Sequence, residues 1–223
     1  MKNTVKLPSL LLLLLISVIL IPVQSCEPDD DDDDNCESCE VVVYKPNIYL
    51  YPVYKSQLEI NLSFPMGGSI VTSIPAYGIG WKVNVDPSGK IDDKYDYLFY
   101  ESKQPDIWQV TEGWTISQSD LETFFTENML EYGFNEKEIK DFTDYWIPRL
   151  EDFDYYEIYP QESYIIEKVI KLDISQKPDN ELRLFYLIKG ATSNSNDSIK
   201  IPAMNSRFNR RGFNVTEWGV VLK

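Results

Sequence analysis

The sequence predicts an α+β domain, a mainly antiparallel sheet or sandwich with a helical hairpin inserted after the first strands. Tyr and Trp are frequent, at 15 and 5 of 223 residues, and aromatic side chains suit the half-buried surface of a sheet. The hydrophobic period changes from that of a strand to that of a helix after Trp114, and it changes back after Leu150. Strands, then two helices, then strands again indicate the α+β class.

The first part of the domain has strand patterns. Residues 41–51 are rich in β-branched and aromatic side chains, but Pro46 interrupts them and indicates an edge position or a bulge. Residues 86–89 (DPSG) fit a type I turn. Strands are predicted over residues 41–51, 58–64, 81–85 and 95–101, the last of them returning from that turn.

Two helices should follow. Ser119 and Glu122 have the spacing of a capping box, and Gly133 suits the position that ends this first helix. Asn135 and Glu138 mark the start of the second helix in the same way. Because the loop between the helices is short, they should form an antiparallel hairpin that lays its aromatic face on the sheet.

The remaining strands are predicted at residues 155–159, 169–174, 182–188 and 212–222. Residues 182–188 form a nearly continuous apolar run. Such a run predicts a strand that is buried on both faces, and therefore a central one.

The first 40 residues predict an export signal and a membrane anchor. Two lysines precede an apolar run at residues 10–21 that is too short to span a bilayer. Residues 23–26 (VQSC) resemble the lipobox of bacterial lipoproteins, which implies a diacylglyceryl thioether on Cys26 and lasting membrane attachment. An uncleaved anchor helix is the alternative. The expected organisation is a signal peptide at 1–25, a lipidated acidic tether at 26–40 and a single domain at 41–223.

The tether itself is unusual in charge. Residues 29–34 are six aspartates, which repel one another and favour an extended, solvated chain. An acidic cluster directly after a lipidated cysteine also resembles the surface-export signal of Bacteroidetes lipoproteins, which implies exposure on the outer membrane. Cys36 and Cys39 lie among acids that raise thiol pKa values, so we expect a local disulfide or two idle thiols there.

Composition excludes several classes of function. Acidic residues outnumber basic ones by 36 to 21, and the excess persists after residue 40, which disfavours binding to nucleic acid. The chain has no histidine, so Ser-His-Asp and Cys-His nucleophile systems and His-ligated zinc are excluded. We expect no metal and no cofactor.

One buried carboxylate is predicted from spacing. In the last strand Glu217 should share a face with Phe213 and Val215, because strand side chains alternate between faces. A carboxylate in apolar surroundings either finds a partner or is held protonated. Arg149 on the second helix and Arg183 in the preceding strand are the candidate partners; a solvated edge-strand glutamate is the alternative.

Two stretches carry a family resemblance. Residues 44–52 (YKPNIYLYP) and 211–219 (RGFNVTEWG) resemble motifs of a family of secreted bacterial proteins of unassigned activity. Similar stretches between them are 80–83, 95–99 and 135–139. The likeness covers nearly all of residues 41–220, and it implies no catalytic residue.

Two functions remain open at this point. The leading one is a non-catalytic envelope module that binds a protein or a glycan through exposed Tyr and Trp. The alternative is a glycan hydrolase that uses Glu217 with Glu101 or Asp96, since such hydrolysis needs an acid and a base about 5 to 10 Å apart. Two carboxylates closing across an aromatic cleft would favour the enzyme, and a flat aromatic patch would favour binding.

Overall fold

The structure is a computed structural model that describes residues 40–193, 199–203 and 208–223. The signal peptide, Cys26, the aspartate run, Cys36 and Cys39 lie outside the described residues. Within them the chain forms these strands and helices: β1 (Glu40–Tyr51), β2 (Ser56–Ser63), β3 (Ser69–Ile74), β4 (Trp81–Val85), β5 (Leu98–Pro105), β6 (Trp114–Ser117), α1 (Leu121–Tyr132), α2 (Glu136–Trp146), β7 (Tyr155–Glu162), α3 (Ser163–Val169), β8 (Lys171–Ile174), β9 (Asn180–Ala191) and β10 (Asn214–Leu222).

The strands form two sheets. Seven strands lie in the order β3-β5-β1-β10-β9-β7-β6, and three more in the order β4-β2-β8. Strands β9 and β10 are parallel, and the other neighbouring strands of the two sheets pair antiparallel. The predicted α+β class, with a mainly antiparallel sheet and an inserted helical hairpin, is confirmed.

The large sheet is covered on both faces. On one face the side chains of Ile48, Tyr100 and Val215 pack with the apolar residues of β2 and β4. On the other face Trp218 and its neighbours pack against the aromatic stripes of α1 and α2. The fold therefore has three layers, a helical hairpin, a large sheet and a small sheet, with a separate core on each side of the large sheet.

The hairpin forms as the sequence predicts, with one exception. Asn135 accepts a hydrogen bond from the N–H of Glu138, and the Glu138 side chain accepts one in return, so the capping box of α2 is confirmed. Gly133, at φ 111°, ends α1 in the left-handed conformation. The predicted capping box at Ser119 is wrong: a 3-10 turn covers residues 118–120, and Asp120 precedes α1 without a side-chain cap.

Pro46 marks a bulge and not an edge. The register of β1 shifts between Tyr44 and Asn47 against both neighbours, and β1 lies between β5 and β10 near the middle of the large sheet. A bulge lets the chain take up an extra residue inside a sheet without ending the strand. The amine of Lys45 is carried on this bulge.

Some strands differ from their predicted places. The predicted return of residues 95–101 beside β4 is wrong, because β5 begins at Leu98 and pairs with β1 and β3 in the other sheet. Residues 69–74 and 114–117 form β3 and β6, which the pattern does not predict. The helix α3 precedes β8, where a strand is predicted from Val169. The predicted central position of residues 182–188 is confirmed, since β9 lies between β10 and β7.

Candidate functional site

Glu217 is part of a sealed ion pair. Its carboxylate accepts a hydrogen bond from Arg183 Nε at 2.5 Å and one from the Tyr100 hydroxyl at 2.7 Å. Neither charged side chain is exposed to solvent. Burial and then the charge of Glu217 raise the pKa of Tyr100 well above its usual range, so that the phenol stays a donor. Arg183 Nη1 also donates to the carbonyl of Ile170 at 2.8 Å. Glu217, Arg183 and Tyr100 therefore form a buried hydrogen-bond network with a structural role.

Arg149, the other candidate partner, lies elsewhere. It is exposed, its Nη1 donates to the carbonyl of Tyr145 at 2.6 Å, and its guanidinium carbon lies 3.8 Å from the centre of the Tyr145 ring. Of the two arginines, the structure therefore pairs Arg183 with Glu217. Arg149 instead stacks on Tyr145, whose side chain lines a cavity beside Lys45.

The three candidate carboxylates do not converge. Glu217 projects from β10 towards the small sheet, with Tyr100 of β5 as its partner. Glu101 follows Tyr100 and so projects from the opposite face. Asp96 is exposed and paired with Lys90 at 3.0 Å. Asp96 lines the cavity beside Lys45, and Glu101 is near enough for its charge to raise the pKa of that lysine.

Lys45 occupies a strained position. Its φ is 56°, in the left-handed region that side-chain-bearing residues rarely adopt. Such conformations persist where the surrounding structure holds them, and they cluster at ligand and active sites. The ammonium donates to Asn47 Oδ1 at 3.1 Å and to the Tyr97 hydroxyl at 3.2 Å. The bulge therefore aims a cation at a defined place instead of into bulk solvent.

Four aromatic rings surround that cation. The distances from Lys45 Nζ to the ring centres are 4.6 Å for Tyr97, 4.7 Å for Phe99, 5.3 Å for Tyr145 and 5.9 Å for Trp218. A cation within about 6 Å of a ring centre is attracted by the electrons of the ring face. Lys45, Tyr97 and Trp218 come from three of the stretches on which the family resemblance rests.

Lys45 lines a cavity of about 420 Å³. Its walls include the rings of Tyr95, Tyr97, Phe99 and Tyr145, all of them partly accessible. The size and the mixture of aromatic walls with a few polar groups are typical of small-ligand sites. We take this Lys45 cavity as the candidate functional site.

The environment of Lys45 weakens its hold on a proton. Burial lowers the pKa of Lys45 from its ordinary 10.5 to about 8, although the nearby charges of Asp141 and Glu101 act in the opposite direction. A perturbed titratable group in a cleft is a marker of a functional site. The amine is still mostly protonated at neutral pH, so the cavity presents a positive charge.

A second cavity, of about 620 Å³, lies at the start of β9. It brings Glu162 and Glu181 together with the rings of Tyr132 and Tyr164. Burial raises the pKa of Glu181, and Arg183 partly opposes that effect. Asp179, also in the wall, accepts a hydrogen bond from the N–H of Phe213, which commits it to the turn before β10.

No protein-family model matches the chain, and neither the curated proteins nor the solved structures contain a match to it. None of the helices in the described residues has the length and hydropathy to cross a membrane.

Sequence reasoning missed Lys45 altogether. The alternation of β10 places Glu217 correctly, but the same reasoning treats residues 41–51 only as a strand broken at Pro46. The available signal is the Lys45-Pro46 pair inside an apolar, aromatic strand. The eight residues that follow this pair, 47–54, carry no charge. A cation at a bulge inside a central strand has few ways to reach water, and that makes it a candidate site residue.

Proposed function

We propose that this protein is a lipid-anchored envelope protein that binds a glycan in the Lys45 cavity without cleaving it. The observation that carries the proposal is the ring of four aromatic side chains around one ammonium at the wall of an open cavity. Flat rings match the C–H faces of a sugar, and the polar groups of Lys45 and Asp96 can orient its hydroxyls.

Anchoring is supported by the leader sequence alone. The lipobox-like residues 23–26 and the short apolar run before them favour lipidation of Cys26, and the aspartate run favours a location on the outer face of the outer membrane. A tether of that charge would keep the glycan site away from an anionic membrane surface. Membrane attachment and glycan binding together describe a surface receptor or adhesion module.

Glycan binding is tested with the full chain on an array of bacterial and host polysaccharides, followed by isothermal titration with each hit. Tyr145→Ala removes one accessible ring of the cavity, and Tyr54→Ala removes an exposed tyrosine, 78% accessible, that lies outside the cavity walls. We expect Tyr145→Ala to weaken binding at least tenfold and Tyr54→Ala to leave it unchanged. Equal affinities of the two variants, or no glycan bound by the parent, would contradict the proposal.

Glycan hydrolysis is the second candidate function, and the structure moves it away from Glu217. Glu181 has a raised pKa and shares an aromatic cavity with Glu162, which are features of an acid and a base in a glycosidase. Under that reading Glu181→Gln and Glu162→Gln should each abolish release of reducing ends from a bound polysaccharide. The absence of any release by the parent chain would leave binding as the function.

A further inference from the structure

We propose that the ligand of the Lys45 cavity is an acidic sugar, and that its carboxylate supplies the counter-ion of Lys45. The inference rests on the proposed glycan binding and specifies its chemical class. Four observations support it: the missing partner of Lys45, the charge balance around the cavity, the arrangement of rings beside the amine, and the direction of its titration.

Lys45 lacks an ionic partner in the described part of the chain. Its two hydrogen-bond acceptors, Asn47 Oδ1 and the Tyr97 hydroxyl, are both neutral, and no described carboxylate oxygen lies within 4.0 Å of its Nζ. Partly buried charges are normally paired. Because an ammonium has three N–H donors, one of them is left for a ligand oxygen.

Two of the carboxylates near the cavity, Asp96 and Asp141, are already paired with lysines. Asp96 pairs with Lys90 at 3.0 Å and with Lys137 at 3.6 Å. Asp141 pairs with Lys137 at 2.7 Å and also accepts a hydrogen bond from the Tyr49 hydroxyl. These two acids therefore do little to repel a second negative charge brought into the cavity.

A second cation lines the same space. Lys94 belongs to the cavity wall, and its Nζ lies 4.7 Å from the ring centre of Tyr95. Like Lys45, it has no carboxylate partner within the described ranges. The guanidinium of Arg149 stacks on the ring of Tyr145, which is another wall residue. The cavity is thus a local positive site on a strongly acidic chain, which favours an anionic ligand at this place.

The rings beside the amine restrict what that anion can be. Tyr97 and Phe99 are the rings nearest to Lys45 Nζ, so an anion that reaches the amine must also lie against aromatic faces. A hexuronate offers both elements, a carboxylate and an apolar C–H face on one ring. Acetate offers the charge without the face, and a neutral hexose offers the face without the charge.

Titration of Lys45 gives the expected pH dependence. Its pKa is lowered by burial to about 8, and a carboxylate bound beside it would raise that pKa. Affinity for the acidic sugar should therefore be constant below about pH 7 and fall as pH rises through 8 and beyond, where the free amine loses its proton. The charged and titratable groups that face the amine from the surrounding elements are Asp96, Tyr97, Glu101, Asp141, Tyr145, Arg149 and Lys94.

The test compares three probes on the full chain by isothermal titration: an oligogalacturonate, the neutral galactose oligomer of equal length, and acetate. The titration with the oligogalacturonate is repeated at pH 9.5. We expect the acidic oligomer to bind at least tenfold more tightly than the neutral one, acetate not to bind, and affinity to fall at least fivefold at pH 9.5. Lys45→Met should remove the preference for the acidic oligomer. Lys45→Arg should retain it, and Lys55→Met, an exposed lysine outside the cavity walls, should match the parent.

The outcomes separate this inference from the proposal beneath it. Equal binding of acidic and neutral oligomers that is insensitive to Lys45→Met but sensitive to Tyr145→Ala overturns the acidic ligand and leaves glycan binding intact. Binding of acetate as tight as that of the oligomer shows an anion site without sugar recognition and overturns the inference as well. If no oligomer of either series binds, both proposals fail. Should Lys45→Met fail to fold, Lys45→Arg and the pH series on the parent decide the question.

Discussion

Glu217 and Arg183 lie opposite each other in the parallel pair of β10 and β9, with Oε2 and Nε 2.5 Å apart and both side chains fully buried. The pair sits between the two sheets, where water cannot screen it. Burying two charges is costly, and the cost is offset only when hydrogen bonds complete the network. Tyr100 and the carbonyl of Ile170 supply two of those bonds, so removing either charge should expose the full cost of the other.

The first prediction concerns Glu217→Gln. The substitution keeps the shape of the side chain but leaves the buried guanidinium of Arg183 with only Glu181, 4.0 Å from its Nε, as a counter-charge. Breaking a buried pair in this way typically costs about 3 to 5 kcal/mol, so the free energy of unfolding should fall by about that amount. Urea unfolding of the full chain, followed by tryptophan fluorescence, measures the change.

A matched exposed pair provides the control. Glu59 and Lys82 form an ion pair at 2.7 Å with side chains that are 55% and 61% exposed. Glu59→Gln should leave stability nearly unchanged, because solvent screens such pairs. A Glu217→Gln variant as stable as the parent would refute the structural role of the pair. Glu217 would then again be a candidate functional carboxylate.

The second prediction concerns pH and Lys45. The pKa of Lys45 is about 8 in the folded chain and 10.5 in its ordinary state. Between these values the unfolded chain binds a proton that the folded chain does not, so stability rises with pH through this window. Relative to Lys45→Met, the parent should gain about 1 to 2 kcal/mol from pH 7.5 to 10.5, allowing for screening of a partly exposed amine.

At each pH the free energy of unfolding of the variant is subtracted from that of the parent. This removes the contribution of the many tyrosines, which also titrate above pH 9. Lys55→Met, at an exposed lysine outside the cavity walls, serves as the control. If the parent loses stability relative to Lys45→Met as pH rises, Lys45 is stabilised by an acidic partner and the cavity is not an anion site.

The third prediction concerns the anchor. Cys26→Ala removes the only side chain that a lipobox-like leader can lipidate, and each buried methylene of an acyl chain contributes about 0.8 kcal/mol to membrane binding. The variant should leave the membrane fraction and should not incorporate a palmitate analogue. Retention in that fraction together with labelling would show that Cys26 is not the attachment point; Cys36→Ala is the control for labelling elsewhere.

The fourth prediction concerns the six aspartates. If the run is the surface-export signal that we propose, replacing residues 29–34 with alanine should leave lipidation intact and should protect the domain from protease added to whole cells. Replacing them with six glutamates keeps the charge and should keep the domain sensitive. If protease outside the cells still digests the alanine variant, the aspartate run is a solvated spacer and not an export signal.

The sequence was most informative where alternation is regular. Glu217 is placed on the correct face by the two-residue period, and the start of α2 is fixed by Asn135 and Glu138, because a capping box is a local interaction. Both features depend on residues that are close in the chain. Local patterns of this kind survive folding when tertiary contacts agree with them.

Strand pairing between distant parts of the chain could not be predicted from local patterns. The strand after residue 95 joins β1 and β3 and not its neighbour β4, a choice set by burial against distant residues. Strand β3 has no clean alternation because it lies at a sheet edge. The cage around Lys45 combines β1, β5, α2 and β10, and no local pattern in one of these segments reveals the other three.

The position of β10 has a consequence for the order of folding. Strands β1 and β10 are adjacent at the centre of the large sheet, with Ile48 beside Glu217, although almost the whole described chain separates them. Closing so long a loop is entropically expensive, and folds dominated by such pairings assemble slowly. If the leader directs export, as we propose, the hydrogen bonds between β1 and β10 cannot form until residues 214–222 have been translocated. A chain threading through an export channel is therefore expected to stay unfolded, and open to chaperones, until its last strand has crossed.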